Sequence, residues 1–393
     1  MAKRYNLFNF YFICIIWINF CISFTFFMTT VIATSYAMDI LRASSSVAGF
    51  ASGIFVIGVM CARLAIGKRL DKINLKKWLL IGLVACFLFN ILYFYSHNIF
   101  MLDLTRFLHG VSYGLCSSVC GTIVARMIPS FKRGVGIGYY SLSGVLASGI
   151  APFVAIYLVN HNAFDTSFVI SLCLIFAAIL CVFAMRVREL KKGLLHIGES
   201  PNKNTLKTKL LAFIEPSAIK ISLIGFMAAF CSGSILSFIG AYCKERNLIE
   251  AGAMFFLVYS ITSLVVRPMA GKIFDSKGHN AIILPSLMFF IIALLLIAFA
   301  YNGFALIISA VFFGIGYGNF ISAAQSYAIK VAPKDKMGLA SATYYMLIDF
   351  GAGVGPYFLG FAIGAFGYGV AFEICAGVIV LALMAYYKLI ARA

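Results

Sequence analysis

The sequence predicts an all-α membrane protein whose twelve transmembrane helices form two six-helix bundles in parallel repeat. Three observations lead there. Of 393 residues 63% are hydrophobic and 11% charged, at a mean hydropathy of +1.00, whereas a soluble domain carries about 25% charged residues. Apolar runs of the length needed to cross about 30 Å of hydrocarbon as a helix recur along the whole chain. One set of residues also repeats at a constant offset of 204.

In lipid every backbone amide must be satisfied internally, so long apolar runs are helices. Barrel strands would be short alternating segments instead. The first run, 10–37, follows Lys3 and Arg4 and could imitate a secretory signal. It is far longer than the roughly 7–15-residue core of such signals, so it is the first span. Breaks at charged residues then delimit 46–66, 78–96, 101–128, 135–158 and 166–186. A second set follows at 217–242, 251–271, 281–301, 304–328, 338–363 and 369–388. Between the sets lies a polar segment with Gly198-Glu199-Ser200-Pro201-Asn202, which has linker composition. The expected organisation is therefore a bundle over 1–186, a cytoplasmic linker over 187–216 and a bundle over 217–393.

The net charge of +18 would point to nucleic acid in a soluble chain. Here the positive-inside rule accounts for it, and no nucleic-acid partner is expected. With both termini, the linker and the even-to-odd connections in the cytoplasm, nearly every Lys and Arg falls on that side. The exceptions are Arg42, Lys244 and Arg246, and Arg106 within the fourth span. Eleven cysteines are scattered singly through apolar segments. They read as small buried hydrophobes, with no disulfide framework, metal site or cofactor expected.

The repeat is specific. Arg63, Gly67, Lys68 and Asp71 recur as Arg267, Gly271, Lys272 and Asp275. The same offset carries Gly110, Tyr113 and Gly114 onto Gly314, Tyr317 and Gly318, and Pro129 onto Pro333. It also carries Gly134, Gly149 and Pro152 onto Gly338, Gly353 and Pro356. An even number of spans per repeat keeps both copies in one orientation, the arrangement of parallel-repeat carriers.

On these residues the chain resembles the major facilitator superfamily, and the resemblance covers its full length. The superfamily's signature between the second and third spans is a Gly, an Asp four residues on, then basic residues; here it is Gly67 to Lys77, with Asp71 followed by Lys72. A degenerate copy, Gly271 to Gly278, lies between the eighth and ninth. By the resemblance, Arg63, Gly67, Asp71, Lys72, Arg267, Gly271 and Asp275 form a cytoplasmic gate. Gly would permit close helix approach, and Asp would pair with basic groups and helix-end amides. Plain retention of basic residues on the inside is the competing account.

Arg106-Phe107-Leu108-His109-Gly110 resembles the superfamily's fourth-span pattern. A charge at mid-membrane costs at least about 2.5–3.5 kcal/mol, so Arg106 needs a partner or an aqueous cavity. Asp103 is three residues away on the same helical face. A pair with Asp103 and a role in proton coupling are both compatible with that placement. His109 reads as a bundle residue with its polar groups satisfied, or as a proton relay. The fifth span, with Gly144, Gly149 and Ala151-Pro152, resembles the pattern of proton-driven drug antiporters but lacks its paired Gly. A fuller version, Gly351, Gly353, Gly355 and Pro356 with Gly360, lies in the eleventh span. Lys132 to Tyr140 is similar to a stretch common in bacterial drug-efflux members.

Asp349, near the middle of the eleventh span, stands in a stretch with no basic residue between Gly338 and Ala385. A carboxyl group isolated in hydrocarbon takes up a proton readily, which is the chemistry a proton-coupled carrier needs. A permanently protonated, hydrogen-bonded acid is the bland alternative. Asn19, Tyr113, Tyr140, Asn319, Gln325 and Tyr345 are polar groups inside spans. They bridge helices or line a cavity for an amphiphilic or aromatic solute.

No Walker-type Gly-x-x-x-x-Gly-Lys-Ser/Thr run and no His-Glu-x-x-His is present, and the Gly-x-Ser-x-Gly of Gly110 to Gly114 lies inside an apolar span and not at a strand-to-helix turn, which argues against an ATP-driven pump or a membrane enzyme. The resemblance implies a secondary transporter, a monomer in the cell membrane, that exchanges protons for a small solute by alternating access. A proton symporter importing a metabolite, and an exporter of a metal-chelating metabolite, stay open on the same fold.

Overall fold

The computed structural model describes residues 9–67, 70, 73–128, 133–185, 214–333 and 336–392. Among these, eleven helices are long and apolar enough to cross a membrane. They are α1 (Phe10–Asp39), α2 (Ser45–Gly67), α3 (Leu75–Ile91), α4 (Ile99–Met127), α5 (Arg133–Asn160), α6 (Phe164–Ala184), α7 (Pro216–Glu245), α8 (Ile249–Lys277), α9 (Asn280–Ala298), α10 (Gly303–Val331) and α11 (Met337–Tyr386). No strand occurs among the described residues.

Helix α11 has 50 residues. Unbroken, it would run about 75 Å at 1.5 Å per residue, over twice the thickness of the hydrocarbon core. It is interrupted at Gly367, whose φ of 81° and ψ of 173° suit only glycine. Its two limbs, 337–366 and 368–386, correspond to the eleventh and twelfth predicted spans.

The chain divides into two compact units, residues 1–41 with 54–196 and residues 42–53 with 197–393. The boundary passes through α2, which the sequence assigns wholly to the first bundle. In the second unit Gly49 and Gly53 lie directly against the backbones of Pro356 and Gly353. There Ser52 and Ser237 share a hydrogen bond of 2.7 Å.

Inside each unit the repeat appears as repeated contacts. Asn98 caps α4 by accepting from the Met101 amide at 2.9 Å. Asn302, at the same offset of 204, caps α10 by accepting from Ala305 at 2.8 Å. Gly110 of α4 rests against the Phe55 carbonyl of α2, and Gly314 of α10 against the Tyr259 carbonyl of α8. Gly114 meets Val59, and Gly318 meets Ser263. Every member of one set maps onto the other at the one offset. Small residues let helix backbones approach closely, which is how membrane helices pack without a hydrophobic driving force between them.

The linker lies mostly outside the described residues, but its end is fixed in the second unit. The buried Glu215 donates its backbone N–H to Thr343 Oγ1 at 2.9 Å. Its Oε1 accepts from Ser217 at 3.0 Å, and Oε2 lies 3.7 Å from the exposed Lys336 Nζ. These contacts seat the start of α7 against the first turns of α11.

Candidate functional site

In the first unit α4 carries a buried polar row. Arg106 is fully enclosed. Its Nη1 donates to Thr29 Oγ1 at 3.0 Å and its Nη2 to Thr30 Oγ1 at 3.2 Å. The guanidinium also lies 4.6 Å from the centre of the Phe55 ring, where the ring quadrupole attracts a cation. Both threonines come from α1, where Thr25, Thr29, Thr30 and Thr34 also return their hydroxyls to carbonyls about one turn back. In the sequence the signal for these partners is a run of hydroxyl residues at helical spacing, Thr25, Thr29, Thr30 and Thr34.

His109 follows one turn below. Asn90 Nδ2 donates to the Cys86 carbonyl at 2.7 Å, which orients its amide and presents the NH₂ to His109 Nε2 at 3.4 Å. Nε2 therefore accepts, and Nδ1 carries the hydrogen toward Tyr93 Oη at 3.1 Å. The ring stands edge-on to Phe55 with centroids 5.1 Å apart. This is a neutral histidine with both nitrogens occupied, and of the two sequence readings the satisfied one describes it.

A second polar group of this unit joins α1 to α5. Asn19 donates to Ser143 Oγ at 2.8 Å and accepts from Tyr140 Oη at 2.7 Å. Tyr113 of α4 is placed apart from them, in an aromatic cluster with Phe26 and Phe55 at 5.4 and 5.5 Å. Asn19 and Tyr140 therefore bridge helices, and Tyr113 packs on rings while its side chain also interacts with Ser23 of α1.

In the second unit Tyr345 donates to Gln325 Oε1 at 2.9 Å, and Gln325 Nε2 donates to Ser341 Oγ at 3.2 Å, joining α10 to α11. Tyr345 is 38% exposed, so this network has one open side. Asp349 is one turn beyond Tyr345 on the same side of α11. It is half-buried. Asn319 lies two turns from Gln325 along α10 and donates back to the Ile315 carbonyl at 2.8 Å; its buried Oδ1 has no hydrogen-bond partner.

Of the gate residues, Asp71 and Lys72 lie outside the described residues, Gly67 closes α2, and Arg63 is half-buried near its end. Arg267 Nη2 reaches the Gly318 carbonyl at 3.5 Å. Gly271 and Asp275 belong to the last turns of α8 rather than to a loop. Among the described residues, no atom lies within 4 Å of where a Gly271 Cβ would stand. Asp275 is exposed. Among the described residues, no three His, Cys, Asp or Glu side chains come together as a metal site.

The sequence matches the family model described as Major Facilitator Superfamily over residues 15–301 and 221–392. Among curated proteins it is 22% identical over 279 residues to the multi-drug resistance efflux pump PmrA of Streptococcus pneumoniae serotype 4, covering 70% of this chain and 69% of that one. It is 24% identical over 297 residues to the multidrug resistance protein MdtG of Salmonella schwarzengrund, covering 72% and 70%. Among solved structures, the nucleoside transporter NupG superposes with a TM-score of 0.77 at 14% identity, over 98% of this chain and 99% of that one. A POT family transporter in complex with a thioalcohol-conjugated peptide gives 0.78 at 15% identity, over 97% and 96%. The last two likenesses concern the fold alone. With its apolar helices, its repeated glycine contacts and a family match spanning nearly the whole sequence, the chain is a multi-pass membrane transporter that belongs to the Major Facilitator Superfamily.

Proposed function

We propose that this protein is a proton-coupled exporter of small amphiphilic, drug-like solutes that works by alternating access in the cell membrane. The two limbs of α11 count as separate crossings, so the chain has twelve spans, and the distribution of Lys and Arg puts both termini in the cytoplasm. It functions as a monomer. Asp349 carries the reading: a carboxyl group on a membrane helix, one turn from a tyrosine–glutamine pair with an open side. A half-buried carboxyl can reach water to exchange a proton and still respond to a solute held beside it. The relatives named for multidrug efflux favour export over import.

The test uses everted vesicles, acidified inside and containing the full chain. Addition of a planar aromatic cation such as ethidium is expected to release protons from the lumen as the dye enters. Absence of release across a panel of cationic and aromatic solutes, with folded carrier present, would favour symport of a metabolite. Release that requires a metal chelate would favour the chelate-exporting variant.

A further inference from the structure

In the orientation proposed above, three basic residues fall on the outer side, Arg42, Lys244 and Arg246, against the rule that keeps Lys and Arg inside. Arg246 is held in a fixed place. Its backbone N–H closes the last turn of α7 on the Tyr242 carbonyl at 3.1 Å. Its guanidinium lies 5.6 Å from the centre of the Tyr242 ring and 5.4 Å from that of Tyr301, and ring faces attract cations. Tyr242 is itself anchored, because its hydroxyl donates to the Ile297 carbonyl at 2.7 Å, near the end of α9. Among the described residues the Arg246 side chain has no hydrogen bond, and none of Glu245, Glu250 and Glu373 forms an ion pair with it.

The two repeats differ at this place. At the offset of 204 Arg246 corresponds to Arg42, so the cation is common to both. Gly369 corresponds to Asp165, in the first turn of α6. A Cβ on Gly369 would stand 3.8 Å from Arg246 Nη2. The second unit thus sets bare backbone beside the guanidinium, two residues after the break at Gly367, where the first repeat carries a carboxylate. The two tyrosines are also particular to the second unit, their counterparts being Met38 and His97. A cation braced by rings, without an acceptor and facing a glycine, is a donor for an anion from outside the chain. Guanidinium matches phosphate oxygens with paired N–H groups. The surrounding rings favour a lipid as its source. Phe299, Tyr301 and Phe304 are 54%, 77% and 74% exposed, and aromatic rings at the ends of membrane spans settle at the level of the headgroups.

We propose that Arg246 is the centre of a phospholipid site on the second unit. Its guanidinium donates to the phosphodiester of a lipid in the outer leaflet, Tyr301 and Phe304 lie beside the headgroup, and the bare backbone at Gly369 leaves room for it. The lipid is held and not transported, and no covalent bond changes. The inference goes beyond the transport reading and shares with it only the orientation of the chain in the membrane.

The test is native mass spectrometry of the purified full chain, titrated in detergent with phosphatidylglycerol and, separately, with diacylglycerol, which lacks the phosphate. Native protein is compared with Arg246→Gln and Gly369→Asp, with thermal unfolding as the check on folding. The first variant removes the donor, and the second supplies the carboxylate of the first repeat as an internal partner. They act in different ways, so the two guard against a misfolded variant. Both are expected to bind the first phosphatidylglycerol about 10-fold more weakly than native protein, the scale of one lost charge-assisted contact. Diacylglycerol should show no difference between the three proteins, and millimolar inorganic phosphate should leave the lipid bound. Equal affinity for phosphatidylglycerol in all three folded proteins would overturn the site. Displacement of the lipid by inorganic phosphate would overturn its assignment to a lipid and leave a site for a free anion. Lipid affinity is read without transport, so neither result bears on the export reading.

Discussion

Asp349→Asn is expected to lower gradient-driven solute accumulation by about 100-fold, the scale on which a positioned proton-transfer group acts, while solute exchange without a gradient persists. Asparagine matches aspartate in size and still offers hydrogen bonds, so α11 and the neighbouring Tyr345–Gln325–Ser341 network should survive the change. What is lost is the ability to bind and release a proton. Transport then becomes a facilitated exchange, and the check is to measure accumulation and counterflow on the same vesicles. Native accumulation by the variant would make Asp349 a structural acid.

A large effect on stability is expected from Gly110→Ala. A methyl group there would fall on the Phe55 carbonyl, with backbone and not a flexible side chain as the obstacle. Helices α2 and α4 must separate, at a cost of about 1–3 kcal/mol for overpacking, read as a lower midpoint of thermal unfolding in detergent. Gly314→Ala, its counterpart, would meet the Tyr259 carbonyl at 2.9 Å and the Thr262 Cβ at 2.8 Å, and should cost less. Among the described residues, Gly144→Ala and Gly271→Ala meet nothing within 4 Å. They should be neutral or gain up to about 1 kcal/mol from the better helix propensity of alanine. A Gly110→Ala protein that melts with the native one would show that the helices separate freely at this contact.

Much of this architecture was legible in the sequence because it repeats. The offset that aligned Gly110 with Gly314 also aligned the partners they touch and the asparagines that cap their helices. The demand that Arg106 find a partner was legible too, from the cost of a charge in hydrocarbon. Its partners were not, because a hydroxyl run on α1 does not reveal which helix it faces until the bundle is assembled. Gly271 stood at the end of a predicted span, before a repeated motif read as a connection, whereas α8 continues through it to Lys277. Asp349 was found by its isolation from basic residues in sequence, which says nothing of exposure, and it is half-buried. Asp103 entered only as a candidate partner for Arg106. Its buried Oδ1, which has no hydrogen-bond partner, is a property of packing that no spacing rule reports.

The most direct test of the account uses proteoliposomes that contain only the purified chain, an imposed pH gradient and no nucleotide. The account predicts that a planar aromatic cation accumulates against its own gradient, and that nigericin, which exchanges protons for potassium, returns it to the equilibrium level. Accumulation that survives collapse of the pH gradient, or that appears only when ATP is supplied, would contradict it.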